Sequence, residues 1–273
     1  MKVQWLGTAA AEGWPGLFCE CEFCARAVEL GGKSIRTRSS IMVNDRYKID
    51  LPPDTYHHAL THGLNLAAVE FLLITHSHSD HLNASELEMR YPPFAHTQRP
   101  LSVYGSEAVK QAIDSRVAES RRAFTFQVVE PFRWYTVGSG RFMPLKADHD
   151  YSQQCFFYLL EVEGNALLVG NDTGYFPDES WEALAGARDG GVKLVVASLD
   201  ATNGPLPGRH HHMGFDCICE VRQRLLDMGC ADTATRFVAT HFSHNGGLMH
   251  AEMEATLGPR GFSVAYDGMV LEA

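Results

Sequence analysis

The chain has 273 residues, of which 45% are hydrophobic and 21% charged, a balance that suits a globular fold and excludes a disordered chain. Twenty-three basic residues against 33 acidic ones give a formal net charge of -10. There is thus no general attraction for nucleic acid, and a nucleic-acid partner is not expected.

No apolar run reaches the roughly 18 residues a bilayer-crossing helix needs. The opening segment, residues 1–7, is too short and too soon interrupted for a signal peptide, so a cytoplasmic, membrane-free protein is expected. There is no repeat, low-complexity block or Pro/Ser-rich linker, which predicts a single domain over 1–273. Short runs rich in Val, Leu, Ile and Phe predict strands at 3–6, 40–43, 47–49, 71–75, 101–104 and 126–129. The second half adds 141–145, 156–162, 166–169, 194–197, 237–240 and 262–266. Helices are predicted over 55–62, 85–90, 106–120, 179–186, 215–227 and 248–257. Alternating strands and helices in these proportions imply two packed sheets covered by helices.

Taken in chain order, the first chemical signal is Cys19-Glu20-Cys21-Glu22-Phe23-Cys24. Seven cysteines in all, three of them crowded here, argue against a disulfide framework and for a thiolate metal site in a reducing compartment. The segment His76-Ser77-His78-Ser79-Asp80-His81 follows the apolar run 71–74. In an extended loop, residues i and i+2 point the same way, so His76 and His78 can grip one ion while Asp80 and His81 face a second. Three later residues stand just beyond apolar strands: His149, Asp172 and His241. Each alone would suit a turn; together with the histidine motif they form a ligand set. His57, His58, His62 and His250 lie in predicted helices and are read as surface residues. Cys155, Cys217, Cys219 and Cys230 are read as reduced thiols without a metal.

The order His-x-His-x-Asp-His, then His, Asp and His resembles the metallo-β-lactamase fold superfamily of hydrolases, from Gly7-Thr8 to Asp267-Gly268. The resemblance implies an α/β fold, the αββα sandwich of two mixed β-sheets flanked by helices. It implies two divalent ions, one held by His76, His78 and His149 and the other by Asp80, His81 and His241, with Asp172 bridging them. Zn or Mn would suit these ligands, as would Fe or Ni. An Asp at the bridge is similar to the phosphodiesterase and ribonuclease branches; true β-lactamases typically carry Cys there. The cysteine trio and the closing Tyr266-Asp267-Gly268-Met269 resemble the phosphoribosyl 1,2-cyclic phosphodiesterases of the PhnP family. In that family a His three positions beyond the last catalytic-metal His completes a structural zinc site, which implies Cys19, Cys21, Cys24 and His244 here.

Asp80 and His212 are the implied catalytic residues, His212 as a phosphate contact or general acid, with the choice among His210, His211 and His212 left open. The chain departs from the family where Asp50-Leu51-Pro52-Pro53-Asp54 replaces the usual Asp-Ala-Gly. Asp50 can still support the metal loop, but two prolines should reshape the pocket floor. The implied function is a metal-dependent hydrolase, a phosphodiesterase cleaving a small cyclic or nucleotide-like phosphodiester with a hydroxide held between the ions. Rival readings are an RNA-processing nuclease, a thioester or lactam hydrolase, and a non-catalytic metal-binding accessory protein related to PQQ biosynthesis. The expected partner is a small-molecule phosphodiester, and a homodimer is left open.

Overall fold

The computed structural model describes residues 1–273. Strands β1 (Lys2–Gly7), β2 (Ser40–Val43), β3 (Tyr47–Ile49), β4 (Phe71–Leu73), β5 (Ser102–Gly105) and β6 (Thr125–Val128) build the first sheet. Strands β7 (Tyr135–Val137), β8 (Gly140–Lys146), β9 (Phe156–Val162), β10 (Asn165–Gly170), β11 (Leu194–Asp200), β12 (Arg236–Thr240) and β13 (Phe262–Val264) build the second. The last strand, β14 (Val270–Glu272), returns to the first sheet and pairs antiparallel with β1. The orders are β14-β1-β2-β3-β4-β5-β6 and β13-β12-β11-β10-β9-β8-β7. In each sheet an antiparallel meander gives way to parallel pairs, β3 through β6 in one and β10 through β13 in the other.

Parallel neighbours need crossovers, and helices supply them. The first sheet uses α2 (Thr55–His62), α3 (Ser85–Glu88) and α4 (Glu107–Asp114); the second uses α5 (Asp178–Asp189), α6 (Phe215–Asp227) and α7 (His250–Leu257). A further helix, α1 (Glu22–Leu30), lies in the excursion between β1 and β2. None of these helices is long and apolar enough to cross a membrane. The expected αββα sandwich is therefore what forms.

Strand alternation sorts the side chains into three apolar layers. Val3, Trp5, Tyr47, Ile49, Phe142, Tyr158 and Val169 fill the space between the sheets. Beneath α5, α6 and α7 lie residues such as Leu168, Trp181, Ile218, Val221 and Met253; beneath α3 and α4 lie Leu72, Leu87, Val103 and Val109. Buried side-chain hydrogen bonds tie the sheets together: Trp5 Nε1 donates to Ser198 Oγ at 3.0 Å, Tyr47 OH to the Val137 carbonyl at 3.0 Å and Tyr158 OH to the Ile74 carbonyl at 2.6 Å. Phe142 sits against the rings of Tyr104, Tyr135 and Tyr158. Phe142→Ala should therefore cost about 3–5 kcal/mol, read as a lower denaturant midpoint at unchanged slope.

Several sequence expectations need correction. The 106–120 helix is Glu107–Asp114 followed by turns, and β7, β14 and α1 had no prediction. His58 and His250 are buried, not surface residues. His58 Nε2 meets Thr37 Oγ1 at 2.7 Å, and His250 Nδ1 meets the buried Arg36 guanidinium at 3.0 Å. Both act as polar partners beneath the helices rather than as metal ligands.

Candidate metal centre

The C-terminal ends of β4, β8, β10, β11 and β12 open on one edge of the sandwich, where open α/β sheets bind ligands. Beyond β4 the chain turns through residues 75–81, pinned by Asp50 at the end of β3. The Asp50 carboxylate accepts from Thr75 N at 2.8 Å, from Thr75 Oγ1 at 3.0 Å and from His81 Nδ1 at 2.6 Å. Asp50 thus supports the loop, as expected. The two prolines do not form the floor of the cleft: its lining includes neither Pro52 nor Pro53, and the Pro52 carbonyl instead accepts from the first turn of α2. Three strand-end residues, Asp50 (φ 61), Asp172 (φ 47) and His241 (φ 63), have left-handed backbone. Each costs on the order of 1 kcal/mol, so strain is concentrated where side chains must converge.

Three overlapping donor groups share this edge. His76, His78 and His149 form one and Asp80, His81, Asp172 and His241 another, while Asp172, Asp200, His212 and His241 form a third that shares two members with the second; ligand atoms in each group lie within 4.8 Å of one another. Asp172 sits at the seam. Its Oδ2 lies 3.8 Å from His76 Nε2 and also contacts His81 Nε2, while its Oδ1 is 3.1 Å from His241 Nε2.

The outward ring nitrogens are all committed. His81 Nδ1 donates to Asp50, His76 Nδ1 to Thr75 Oγ1 at 3.0 Å, His78 Nε2 to Asp150 at 3.1 Å and His149 Nδ1 to the His211 carbonyl at 3.3 Å. His241 Nδ1 donates to Thr202 Oγ1 at 2.8 Å, and that hydroxyl donates to the His241 carbonyl. Five lone pairs are left pointing inward. His76 Nε2 and His78 Nδ1 are only 2.9 Å apart, and His149 Nε2 is 3.3 Å from His78 Nδ1. The buried Nε2 atoms of His81 and His241 make no hydrogen bond. Facing lone pairs and orphaned nitrogens are unfavourable unless a cation sits among them, and outward hydrogen bonds that fix the tautomer are what metal-binding histidines use. The residues fit a metal.

The electrostatics agree. Burial and the neighbouring His81 hold His76 well below the usual imidazole range, and burial also lowers His149, so both stay neutral as ligands must. Burial works against charge on Asp172, yet His241 and His81 hold its carboxyl well below the usual range; His81 does the same for Asp80. Burial opposes protonation of His81 and His241, but the surrounding carboxylates push both up. The cluster asks for positive charge.

Residues 48–242 match the family described as the beta-lactamase superfamily domain. The chain belongs to the beta-lactamase superfamily. No curated protein matches it by sequence. Among solved structures, a diphosphatase from the PhnP family gives a TM-score of 0.75 at 23% identity, covering 100% of this chain and 97% of that one. Zinc-bound PqqB from Methylobacterium extorquens gives 0.74 at 17%, covering 100% of each. The short form of human tRNase Z gives 0.68 at 16%, covering 100% of this chain and 99% of that one. These likenesses establish the metallo-β-lactamase fold, and the His/Asp clusters above give this superfamily member the means to hold metal.

Of the three consecutive histidines, His212 faces the cleft. His210 is 74% exposed and turns to Asp148 at 3.0 Å, and His211 is engaged with the His149 carbonyl. His212 Nδ1 lies 3.0 Å from Asp200 Oδ2 and 3.5 Å from Asp172 Oδ1. Burial works against the imidazolium, but Asp200 outweighs it and the His212 pKa is pushed up to about 9. Sequence reasoning missed Asp200 because the predicted strand stopped at 197; β11 runs on to Asp200, the same strand-end position that marked Asp172. Also missed were Asp150, which orients His78, and the wall residues Glu12, Asn203 and Asn245. No periodicity marks such loop residues; only the folded edge brings them together.

The second site of this superfamily member lies at the N-terminus of α1. Cys19, Cys21, Cys24 and His244 group their ligand atoms within 4.8 Å of one another, with His244 Nδ1 3.4 Å from Cys21 Sγ and 3.9 Å from Cys19 Sγ. Backbone N–H groups point at the sulfurs: Cys24 N to Cys21 Sγ at 3.4 Å and Gly16 N to Cys24 Sγ at 3.2 Å. The hydrogen bond from Cys24 N lowers Cys21 to about 6, while burial raises Cys24 to about 12. One thiolate forms readily and the next resists, as expected where an ion rather than solvent must balance several sulfurs. The remaining four cysteines are free thiols elsewhere.

Proposed function

We propose that the chain is a two-metal phosphodiesterase acting on a small phosphodiester. The observation that carries this reading is Asp172, a carboxylate placed between two donor groups whose five histidines turn their lone pairs inward. The hard oxygen at the seam and the imidazoles around it suit Zn, Mn, Fe or Ni. When bound, two divalent ions would supply neutralisation of the ester's charge and a water nucleophile at neutral pH.

The chain's own residues do the rest. The cleft has a volume of about 390 Å³, which fits a small molecule. Asp80 and Asp172 supply the negative charge that holds the cations, and Asp50 and Thr202 fix the ring planes of His81 and His241. His212 lines the cleft, and Asp200 grips its Nδ1, which leaves Nε2 without a protein partner and free to deliver a proton to the departing oxygen. Asn203, Ser243 and Asn245 offer neutral hydrogen-bonding groups on the wall. Cys19, Cys21, Cys24 and His244 would hold one structural zinc.

The test is metal content of purified protein together with hydrolysis of bis(p-nitrophenyl) phosphate after adding Mn or Zn. Near three ions per chain with turnover is expected. A second reading is a non-catalytic metal-binding accessory protein; one zinc per chain and no turnover under any metal would favour it instead.

His212 carries its own expectation. His212→Ala should lower turnover by about 10²–10⁴-fold. Because Asp200 raises the His212 pKa, the acid form persists to higher pH, and activity that needs it is lost as pH rises through that value. Positive charge at the neighbouring cluster lowers the value without changing the sign of the Asp200 contribution. In Asp200→Asn burial wins, so the basic limb of kcat/KM should move to lower pH; an unchanged limb would remove His212 from the proton transfer.

A further inference from the structure

A second cavity, of about 760 Å³, opens on the outer face of the first sheet, between α2, α3 and the segment that follows α3. Its walls are apolar: Leu51, Leu66, Val69, Leu72, Leu87 and Leu101 line it, and Tyr56, Met89 and Phe94 stand exposed at its rim. A volume of this size, an apolar lining and a few convergent polar groups are the general marks of a small-molecule site. It shares no lining residue with the metal cleft.

The polar group at its floor is unusual. Along β3, Tyr47 and Ile49 point into the layer between the sheets, so alternation sends Lys48 to the outer face. There the lysine is buried, at 2% exposure. Its Nζ donates to Ser40 Oγ at 2.5 Å and to the Asp50 carbonyl at 2.6 Å, and to nothing else. An ammonium has three donors, so one finds no acceptor in the protein, and both acceptors it does find are neutral. Burial pushes the Lys48 amine down to about 7, and the nearby Asp50 carboxylate, engaged with Thr75 and His81, offsets this only in part. The other charged or titratable lining groups are Arg90, Glu86, His96 and Tyr56 at the rim. Arg90 is fixed in the wall by the carbonyls of Arg99 and Ala123, and Glu86 is turned to Asn83 at 3.4 Å.

We propose that this cavity is a second ligand site, separate from the metal centre, for a free amphiphile with an apolar body and one carboxylate head group that pairs with Lys48. The apolar walls match the body, and the excess of basic over acidic groups on the lining matches a single negative charge. A carboxylate at Nζ supplies the missing acceptor and a counter-charge in direct contact, which the Asp50 carboxylate, turned to Thr75 and His81, does not. A purely apolar ligand would supply neither, and a cationic one would add to the like charge.

The experiment is calorimetric titration of the metal-loaded protein with decanoate below its micellar concentration, and with decyltrimethylammonium as the cationic match. One decanoate per chain is expected, with the cation at least about tenfold weaker. Lys48→Met should weaken decanoate by about tenfold or more and narrow the difference between the two probes. Should Lys48→Met fail to fold, Leu87→Phe, which narrows the cavity from α3, carries the test and should abolish binding while the melting curve stays cooperative. Absence of saturable binding, equal binding of the two probes, or full binding to Leu87→Phe overturns the proposal. So does a dimer in sedimentation that buries Met89 and Phe94 and excludes decanoate, which would make this face an interface between copies.

Discussion

In Asp172→Ala, hydrolysis of bis(p-nitrophenyl) phosphate is expected to fall at least about a thousandfold, and the ion content of the chain to drop by one or two. A thousandfold loss is about 4 kcal/mol of barrier, the scale expected when the charge between two ion sites is removed rather than weakened. The reason is local. Asp172 contacts His81 and lies 3.8 Å from His76 and 3.1 Å from His241, so no other side chain reaches both donor groups in the same way. The comparison that gives this result its meaning is Asp50→Asn. Asp50 touches no other member of either donor group; it fixes the ring of His81 through a 2.6 Å hydrogen bond. Losing an orienting partner of that kind costs about 10–100-fold in metal affinity or activity, and added metal should restore much of it. Asp172→Ala should resist rescue. If excess Mn or Zn revives Asp172→Ala as fully as Asp50→Asn, then Asp172 is not at the seam of a two-ion site.

The ligands themselves were legible because the sandwich makes one edge of its sheets the site, and strand ends can be read from short apolar runs. That rule placed His149, Asp172 and His241 beyond β8, β10 and β12, and the structure brings all three to the histidine motif. The same rule failed at Asp200 for want of three residues of strand: β11 continues through Ser198 and Leu199, where a serine that faces Trp5 across the sandwich interrupts the apolar run. Helix α1 was hidden for a different reason. Its N-cap is Cys21, whose sulfur accepts from Cys24 N, and no Ser, Thr, Asp or Asn marks the start. His58 and His250 were read as exposed because helical periodicity does not reveal that Thr37 and Arg36 wait beneath them. Partners distant in sequence are invisible until the chain folds. Lys48 shows the same limit: its place in a short strand is plain, but its burial on the outer face depends on which side of the sheet the core chooses.

Removing the cysteine clip should have the opposite signature to removing Asp172. The clip joins the excursion between β1 and β2 to the turn immediately beyond β12, through His244, three residues after the metal-facing His241. It stands beside the cleft as well: Glu12, on the cleft wall, accepts from Ser243 Oγ at 2.5 Å and lies 3.7 Å from His244 Nε2. A structural ion's binding energy is folding energy, so Cys21→Ser with Cys24→Ser should lose one zinc per chain and destabilise the fold by on the order of 3 kcal/mol. For a chain of this size that is a fall of roughly 6–12 °C in melting temperature. Turnover measured well below the melting temperature should drop far less than in Asp172→Ala, because the clip holds the wall of the cleft and not its reacting groups. Zinc retention should also depend on pH in one direction. Cys24, raised to about 12 by burial, must lose its proton to bind, so the clip weakens as pH falls and protons compete for the sulfurs. Acidification in the presence of a chelator should therefore strip the clip and lower the melting temperature of the parent chain, while leaving the double variant, which has no clip to lose, little changed by the same loss. A double variant that keeps its zinc and its melting temperature would show that the four residues meet for packing alone.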